Sequence, residues 1–147
     1  MSEAAAAAVE QSLQIRPLQA AEIDAAVALW EAAGLTRPWN DPHQDCRRAM
    51  GGPVSEVLTA IVGGQLVGTV MVGHEGHRGW IYYLAVEPSL RGQQIGAQLV
   101  AAAEDWLREQ NIPKLMLMVR EGNDVVASFY DKLGYSRQQV MTFGKFL

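Results

Sequence analysis

The segment Leu84-Ala85-Val86-Glu87-Pro88-Ser89-Leu90-Arg91-Gly92-Gln93-Gln94-Ile95-Gly96 carries the change from strand to helix on which the architecture turns. It closes an apolar run that begins at Trp80 and meets Pro88, which cannot donate to a strand ladder. Beyond the small-residue turn, Ile95, Leu99, Ala102, Ala103 and Trp106 recur at helical spacing, while Gln98, Glu104, Asp105, Arg108 and Glu109 take much of the remaining surface. This predicts a helix from near Gln94. Such an order aims the free N–H groups of a first helical turn, flanked by Gly92 and Gly96, at whatever lies beyond the strand end. A terminus of that kind attracts phosphate, and Arg91 adds a cation able to pair with a phosphate oxygen. A turn that merely redirects the chain is the alternative reading of the same residues.

Downstream, Pro113 opens an apolar run whose residues Leu115 to Val119 read as a buried parallel strand, a crossover neighbour of the Trp80 to Val86 strand. Arg120, Glu121, Gly122 and Asn123 lead into a short helix carrying Val126, Phe129, Tyr130 and Leu133, stopped by Gly134. Tyr135 to Phe146 alternate enough for a closing hairpin or a pair of edge strands.

Upstream, Val57 to Val62 and Leu66 to Val72 flank Gly63, Gly64 and Gln65, which predicts a tight hairpin. The turn from Gly73 to Gly79 holds His74, Glu75 and His77; without a helix or a clear further ligand it reads as solvated, and no metal is expected. A first strand stops at Pro17, near Arg16, and is followed by a helix from Ala20 to Ala33, closed by Gly34. The proline-broken loop Leu35 to Pro42 leads to a short helix from His43 to Met50. Trp39 in that loop is either part of a recognition surface or a plug at the edge of the core.

With 147 residues, 49% of them hydrophobic, the chain is expected to form one domain over residues 13–147 behind a helical or disordered leader, 1–12. A formal charge of −4 argues against a sequence-independent grip on nucleic acid or an anionic membrane. The single cysteine, Cys46, excludes an internal disulfide and a cysteine-rich zinc site. No secretory signal and no apolar stretch of membrane-spanning length is present, so a soluble cytoplasmic protein is expected. The C-terminal strands could pair between the subunits of a homodimer.

Arg91-Gly92-Gln93-Gln94-Ile95-Gly96, after a strand ending in Leu-Ala-Val and a proline, resembles the acyl-CoA signature Gln/Arg-x-x-Gly-x-Gly/Ala of the GNAT N-acetyltransferases. Gln94 stands where that family has its first glycine of the pair. About thirty residues on, Asn123, Ala127, Tyr130, Gly134 and Tyr135 are similar to the family's second block, Asn-x-x-x-Ala-x-x-Tyr-x-x-x-Gly-Phe/Tyr. Taken singly, Asn123 reads as a helix cap and Tyr130 as a core aromatic; the pair of motifs is far more specific. The loop Arg37 to Pro42, with Gly76, His77, Arg78, Gly79, Tyr82 and Tyr83, looks most like the bacterial YpeA-type acetyltransferases.

The resemblance implies an α/β (α+β) GNAT fold. Its sheet is mixed and mainly antiparallel, splayed between two central parallel strands and flanked by about four helices, with acetyl-CoA in the gap. It also implies roles. Backbone groups of Leu84, Ala85 and Val86 would hold the pantetheine and polarise the thioester carbonyl. Arg91, Gly92, Gln93, Gln94, Ile95 and Gly96 would hold the pyrophosphate, Asn123 the pantetheine arm, and Tyr130 would protonate the departing thiolate.

Such chemistry needs no covalent intermediate if an unprotonated amine is held against the thioester. The acceptor is then a primary amine of a small molecule or peptide. A lysine amine is neutral only about one part in 2,500 at pH 7, a handicap of roughly 4.6 kcal/mol, whereas an α-amine loses only about 1 kcal/mol. Ribosomal-protein alanine acetyltransferases place a glutamate base where this chain has Met118. Glu56, Glu75, His77, Glu87 and Glu121 remain as alternatives. A rival expectation is a GNAT scaffold that binds CoA without catalysis, as a sensor or protein partner. A Rossmann dinucleotide enzyme fits less well, because Gly-x-Gly-x-x-Gly is absent and the glycine turn follows a hairpin.

Overall fold

The computed structural model describes Glu3, residues 12–92 and residues 94–147. The expected leader therefore falls almost wholly outside the described residues, as does Gln93. Two compact units emerge, residues 1–117 and Met118–Leu147, and each is described by itself.

The first unit is built on five strands in the order β1 (Gln14–Pro17), β2 (Ser55–Val62), β3 (Gln65–His74), β4 (Gly79–Val86) and β5 (Leu115–Met116). The first three pairings are antiparallel and the last is parallel. That mixture is the GNAT arrangement expected from the motifs, and it excludes the all-parallel sheet of a doubly wound dinucleotide fold. Gly63 and Gly64 close the β2–β3 hairpin with positive φ at both central residues, as a two-residue turn matched to strand twist requires.

Among the elements whose bounds are described, three helices complete this unit. A 3-10 turn at Ala20–Glu22 leads into α1 (Ile23–Ala32), the loop 33–41 into α2 (Pro42–Ala49), and the segment after β4 into α3 (Ile95–Glu109). Helix α2 starts one residue before the sequence suggests, because Asp41 accepts from Gln44 N–H at 3.2 Å and Pro42 fills the first turn. Helix α1 ends at Gly34 and α3 at Asn111, each in the left-handed region, with Leu35 N–H on Trp30 O and Ile112 N–H on Leu107 O.

Successive residues of β3 show how the layers stack. A Cβ built on Gly68 would lie 2.9 Å from Leu99 Cδ1 of α3, while the next residue, Thr69, bonds to Trp30 of α1. Adjacent strand residues face opposite ways, so α1 and α3 cover opposite faces of the sheet. One core joins Leu18, Val27, Leu29, Trp30, Cys46 and Val57. The other face receives the buried stripe Ile95, Leu99, Val100, Ala103 and Leu107. Ala102 and Trp106, predicted on that stripe, lie at its half-buried margin, and Leu107 takes the central place instead.

The structure corrects three expectations and decides between the two readings of Trp39. Strand β5 spans two half-buried residues instead of the buried run Leu115 to Val119, and Met118 is 52% exposed. Its short pairing, with Gly79 and Trp80 alone, buries too little backbone to extend it. Residues 135–147 form no strand, and 136–147 are all exposed; alternation specifies a strand only where a neighbouring edge buries one face. The parallel partner β5 is consequently the last strand of the sheet among the described residues, not a central one. Trp39 is 60% exposed, so it does not plug the core.

The second unit holds α4 (Asp124–Lys132), capped by Asn123, whose Oδ1 accepts from Val126 N–H at 3.3 Å. It ends at Gly134, with Tyr135 N–H on Tyr130 O. Four helices are thus described in all. Among the described residues no helix is long and apolar enough to cross a membrane.

Candidate active site

The end of β4 differs from an ordinary strand in two ways. Only Gly79 and Trp80 pair with β5, so from Ile81 to Val86 the β5 side of the strand has no ladder partner among the described residues. The register against β3 also slips, with Thr69 opposite Ala85 but Met71 opposite Tyr82, so that Tyr83 and Leu84 together oppose Val70. Tyr83 adopts φ +52°. A tyrosine in the left-handed region costs on the order of 1–3 kcal/mol and persists only where its surroundings hold it.

Those surroundings are well defined. Thr69 Oγ1 donates to Tyr83 O at 2.8 Å, and Trp30 Nε1 donates to Thr69 Oγ1 at 2.8 Å. The Tyr83 ring stacks on Trp30, centroids 4.0 Å apart at 18°, and its hydroxyl donates to Asp45 Oδ2 at 2.8 Å. Burial, reinforced by the Asp45 carboxylate, pushes the Tyr83 phenol well above its ordinary value. One geometric consequence follows. The Tyr83–Leu84 peptide is trans and planar, so with its carbonyl turned to the Thr69 hydroxyl, the Leu84 N–H points away from that hydroxyl.

Beyond β4, Pro88–Leu90 form a 3-10 turn, closed by Leu90 N–H on Glu87 O at 2.9 Å. Gly92 follows at φ +84°. Gln94, where the resemblance would place glycine, sits at φ +65°, so the loop keeps the backbone that glycine would favour and the glutamine bears the strain. Its side chain makes no cap bond to α3. Among the described residues Gln98 N–H is the first to bond back, to Gln94 O, and the amides of Ile95, Gly96 and Ala97 have no acceptor within the helix. Arg91 and Gly92 are exposed, while the Ile95 side chain is buried and anchors the turn. The amides of such a helix start, at the positive end of the helix dipole, suit an anion such as a diphosphate.

In the second unit Tyr130 is 8% exposed and meets Phe129 and Tyr135 edge to face, at 5.0 and 5.6 Å. Burial pushes its phenol up to about 12. Two of the carboxylates proposed as bases are already committed to backbone amides. Glu75 accepts from the N–H groups of His77 and Arg78, which lowers its pKa and makes it a weaker base; Glu56 accepts from Gly51 and Val57. Among the described residues no group of three or more His, Cys, Asp or Glu side chains could hold a metal ion.

Residues 24–135 match the family model of the acetyltransferase (GNAT) family. The chain belongs to that family. Solved structures agree with this GNAT fold at low sequence identity. The aminoglycoside acetyltransferase meta-AAC0020, from an uncultured soil metagenomic sample, is 19% identical with a TM-score of 0.77, covering 95% of this chain and 99% of that one. AAC(6')-Iy, bound to a CoA-S-monomethyl-acetylneamine bisubstrate analogue, is 16% identical with a TM-score of 0.78, covering 92% and 99%. The ribosomal-protein-alanine N-acetyltransferase of Brucella melitensis biovar Abortus 2308 is 20% identical with a TM-score of 0.73, covering 92% and 99%. Each is a likeness of fold.

Sequence reasoning found the GNAT loop and helix start but missed the group that holds the β4 bulge. A glycine or asparagine at position 83 would have signalled it; a tyrosine gives no such sign.

Proposed function

We propose that this GNAT protein transfers the acetyl group of acetyl-CoA directly to a primary amine of a small molecule or peptide, within a ternary complex, residues 13–147 acting as one domain. The observation that carries the reading is the β4 edge that β5 leaves unpaired, on which the Leu84 N–H is turned away from the Thr69 hydroxyl. A fixed amide donor aimed at a thioester oxygen stabilises the charge that develops as the amine attacks, with no reorganisation during the reaction.

Leu84, Ala85 and Val86 would align the pantetheine along that edge, and Arg91, Gly92, Gln93, Gln94, Ile95 and Gly96 would take the pyrophosphate on main-chain donors. Asn123 uses Oδ1 for its helix cap, which leaves its amide hydrogens to serve the pantetheine arm. Tyr130 would donate to the departing thiolate. A phenol near 12 is protonated at every working pH, so the donor is always loaded.

The acceptor is proposed to be weakly basic or an α-amine. Met118 stands where the resemblance to ribosomal-protein alanine acetyltransferases would put a carboxylate, and Glu75 and Glu56 are occupied by backbone amides. Neighbours of the fold named for aminoglycosides and for ribosomal-protein alanine span both acceptor classes. The YpeA-type group, similar in the Arg37 to Pro42 loop, is the proposed subfamily. The test is release of free CoA from acetyl-CoA across polyamines, amino acids, aminoglycosides and peptide N-termini. Turnover with at least one amine is expected; binding of acetyl-CoA with no turnover on any would instead make this a CoA-binding module.

A further inference from the structure

We infer that Asp45, Trp30 and Thr69 are positioning residues that act through Tyr83 to aim the Leu84 amide at the thioester carbonyl. This rests on the reading of Leu84 as that carbonyl's donor. The contacts form a closed circuit on one residue. Asp45 holds the Tyr83 hydroxyl, Trp30 holds its ring, and Trp30 also presents a proton to Thr69, whose own hydroxyl holds the Tyr83 carbonyl. Both ends of Tyr83 are therefore tied, the side chain to α1 and α2 and the main chain to β3.

The hydroxyl of Thr69 has one proton and accepts through its lone pairs. With Trp30 Nε1 as its donor, its own proton is directed to Tyr83 O, and the direction of that hydrogen bond is set. Rotation of the Tyr83–Leu84 peptide would break this bond and leave buried groups unpaired. A left-handed tyrosine released from the circuit would relax toward ordinary strand geometry, and the Leu84 N–H would turn with it. Asp45 sits thirty-nine residues before Leu84 in sequence, and its side chain acts through the Tyr83 hydroxyl.

The experiment uses acetyl-CoA labelled with 13C at the thioester carbonyl, bound to the full chain, with the carbonyl shift read by NMR and the dissociation constant by calorimetry. Wild-type protein should move the resonance downfield. Tyr83→Phe, which keeps the ring, and Thr69→Val, which keeps the shape, should each lose more than half of that shift while acetyl-CoA affinity changes less than about threefold. Turnover should fall about ten- to a hundredfold at saturating acetyl-CoA, a smaller loss than full removal of an oxyanion donor would cause. Thr69→Ser, which restores the hydroxyl, should recover most of both. A wild-type shift that survives in folded Tyr83→Phe or Thr69→Val overturns the positioning circuit alone. A wild-type complex with no carbonyl shift overturns it together with the role given to Leu84.

Discussion

Trp30 and Thr69, thirty-nine residues apart, are joined by a 2.8 Å hydrogen bond from the indole nitrogen to the hydroxyl, with both residues wholly buried. Trp30→Phe removes the donor and part of the volume at the centre of the core. It is predicted to destabilise the protein by about 2–4 kcal/mol, combining a small cavity with the loss of one of the two hydrogen bonds on the Thr69 hydroxyl. Urea unfolding reads this as a lower midpoint at unchanged slope. A loss of only a few tenths would mean the bond does not matter to folding.

Gly79, where β4 meets β5, lies beneath Leu107. A Cβ there would overlap the Leu107 side chain, which is itself part of the buried stripe of α3. Gly79→Ala should therefore cost about 1–3 kcal/mol through overpacking, although alanine normally favours a strand over glycine. Thermal denaturation provides the comparison, and a variant as stable as wild type would show that α3 can lift without penalty.

Gln94 bears left-handed backbone strain that glycine would not. Gln94→Gly is expected to leave stability equal or raise it by about 1 kcal/mol, and to bind acetyl-CoA at least as tightly. Calorimetric titration beside a melting curve tests both. Weaker binding by this variant would show that the glutamine side chain itself contacts the ligand.

Tyr130→Phe should lower turnover while acetyl-CoA binding stays largely intact. With the phenol pushed up to about 12, its neutral form is the one favoured by burial, so it stays protonated until pH rises through that value. Any alkaline limb of the rate profile below pH ~10 thus belongs to another group and should persist in the variant. Disappearance of such a limb in Tyr130→Phe would contradict this assignment.

How much of this was readable in the sequence varies with the physical signal involved. Gly34 and Gly134 marked helix ends because the left-handed cap has a residue preference, whereas Asn111 used the same geometry unannounced. The hairpin at Gly63 and Gly64 and the helix from Gln94 followed from turn chemistry and periodicity. Leu115 to Val119 misled because an apolar run does not reveal how long its neighbour stays alongside. The alternation in residues 135–147 misled for a related reason, since period two is informative only against a partner edge. Trp30, Thr69 and Asp45 could not be connected to Tyr83 from the sequence, because their relation is purely tertiary.

The most direct test of the whole account is a titration of 15N-labelled protein with acetyl-CoA, following backbone amides one by one. The account predicts saturable shifts concentrated at Leu84 to Val86 and at Arg91 to Ala97, with Leu84 moving further for acetyl-CoA than for CoA. Saturable binding that leaves those amides in place, or no binding at all, would contradict it.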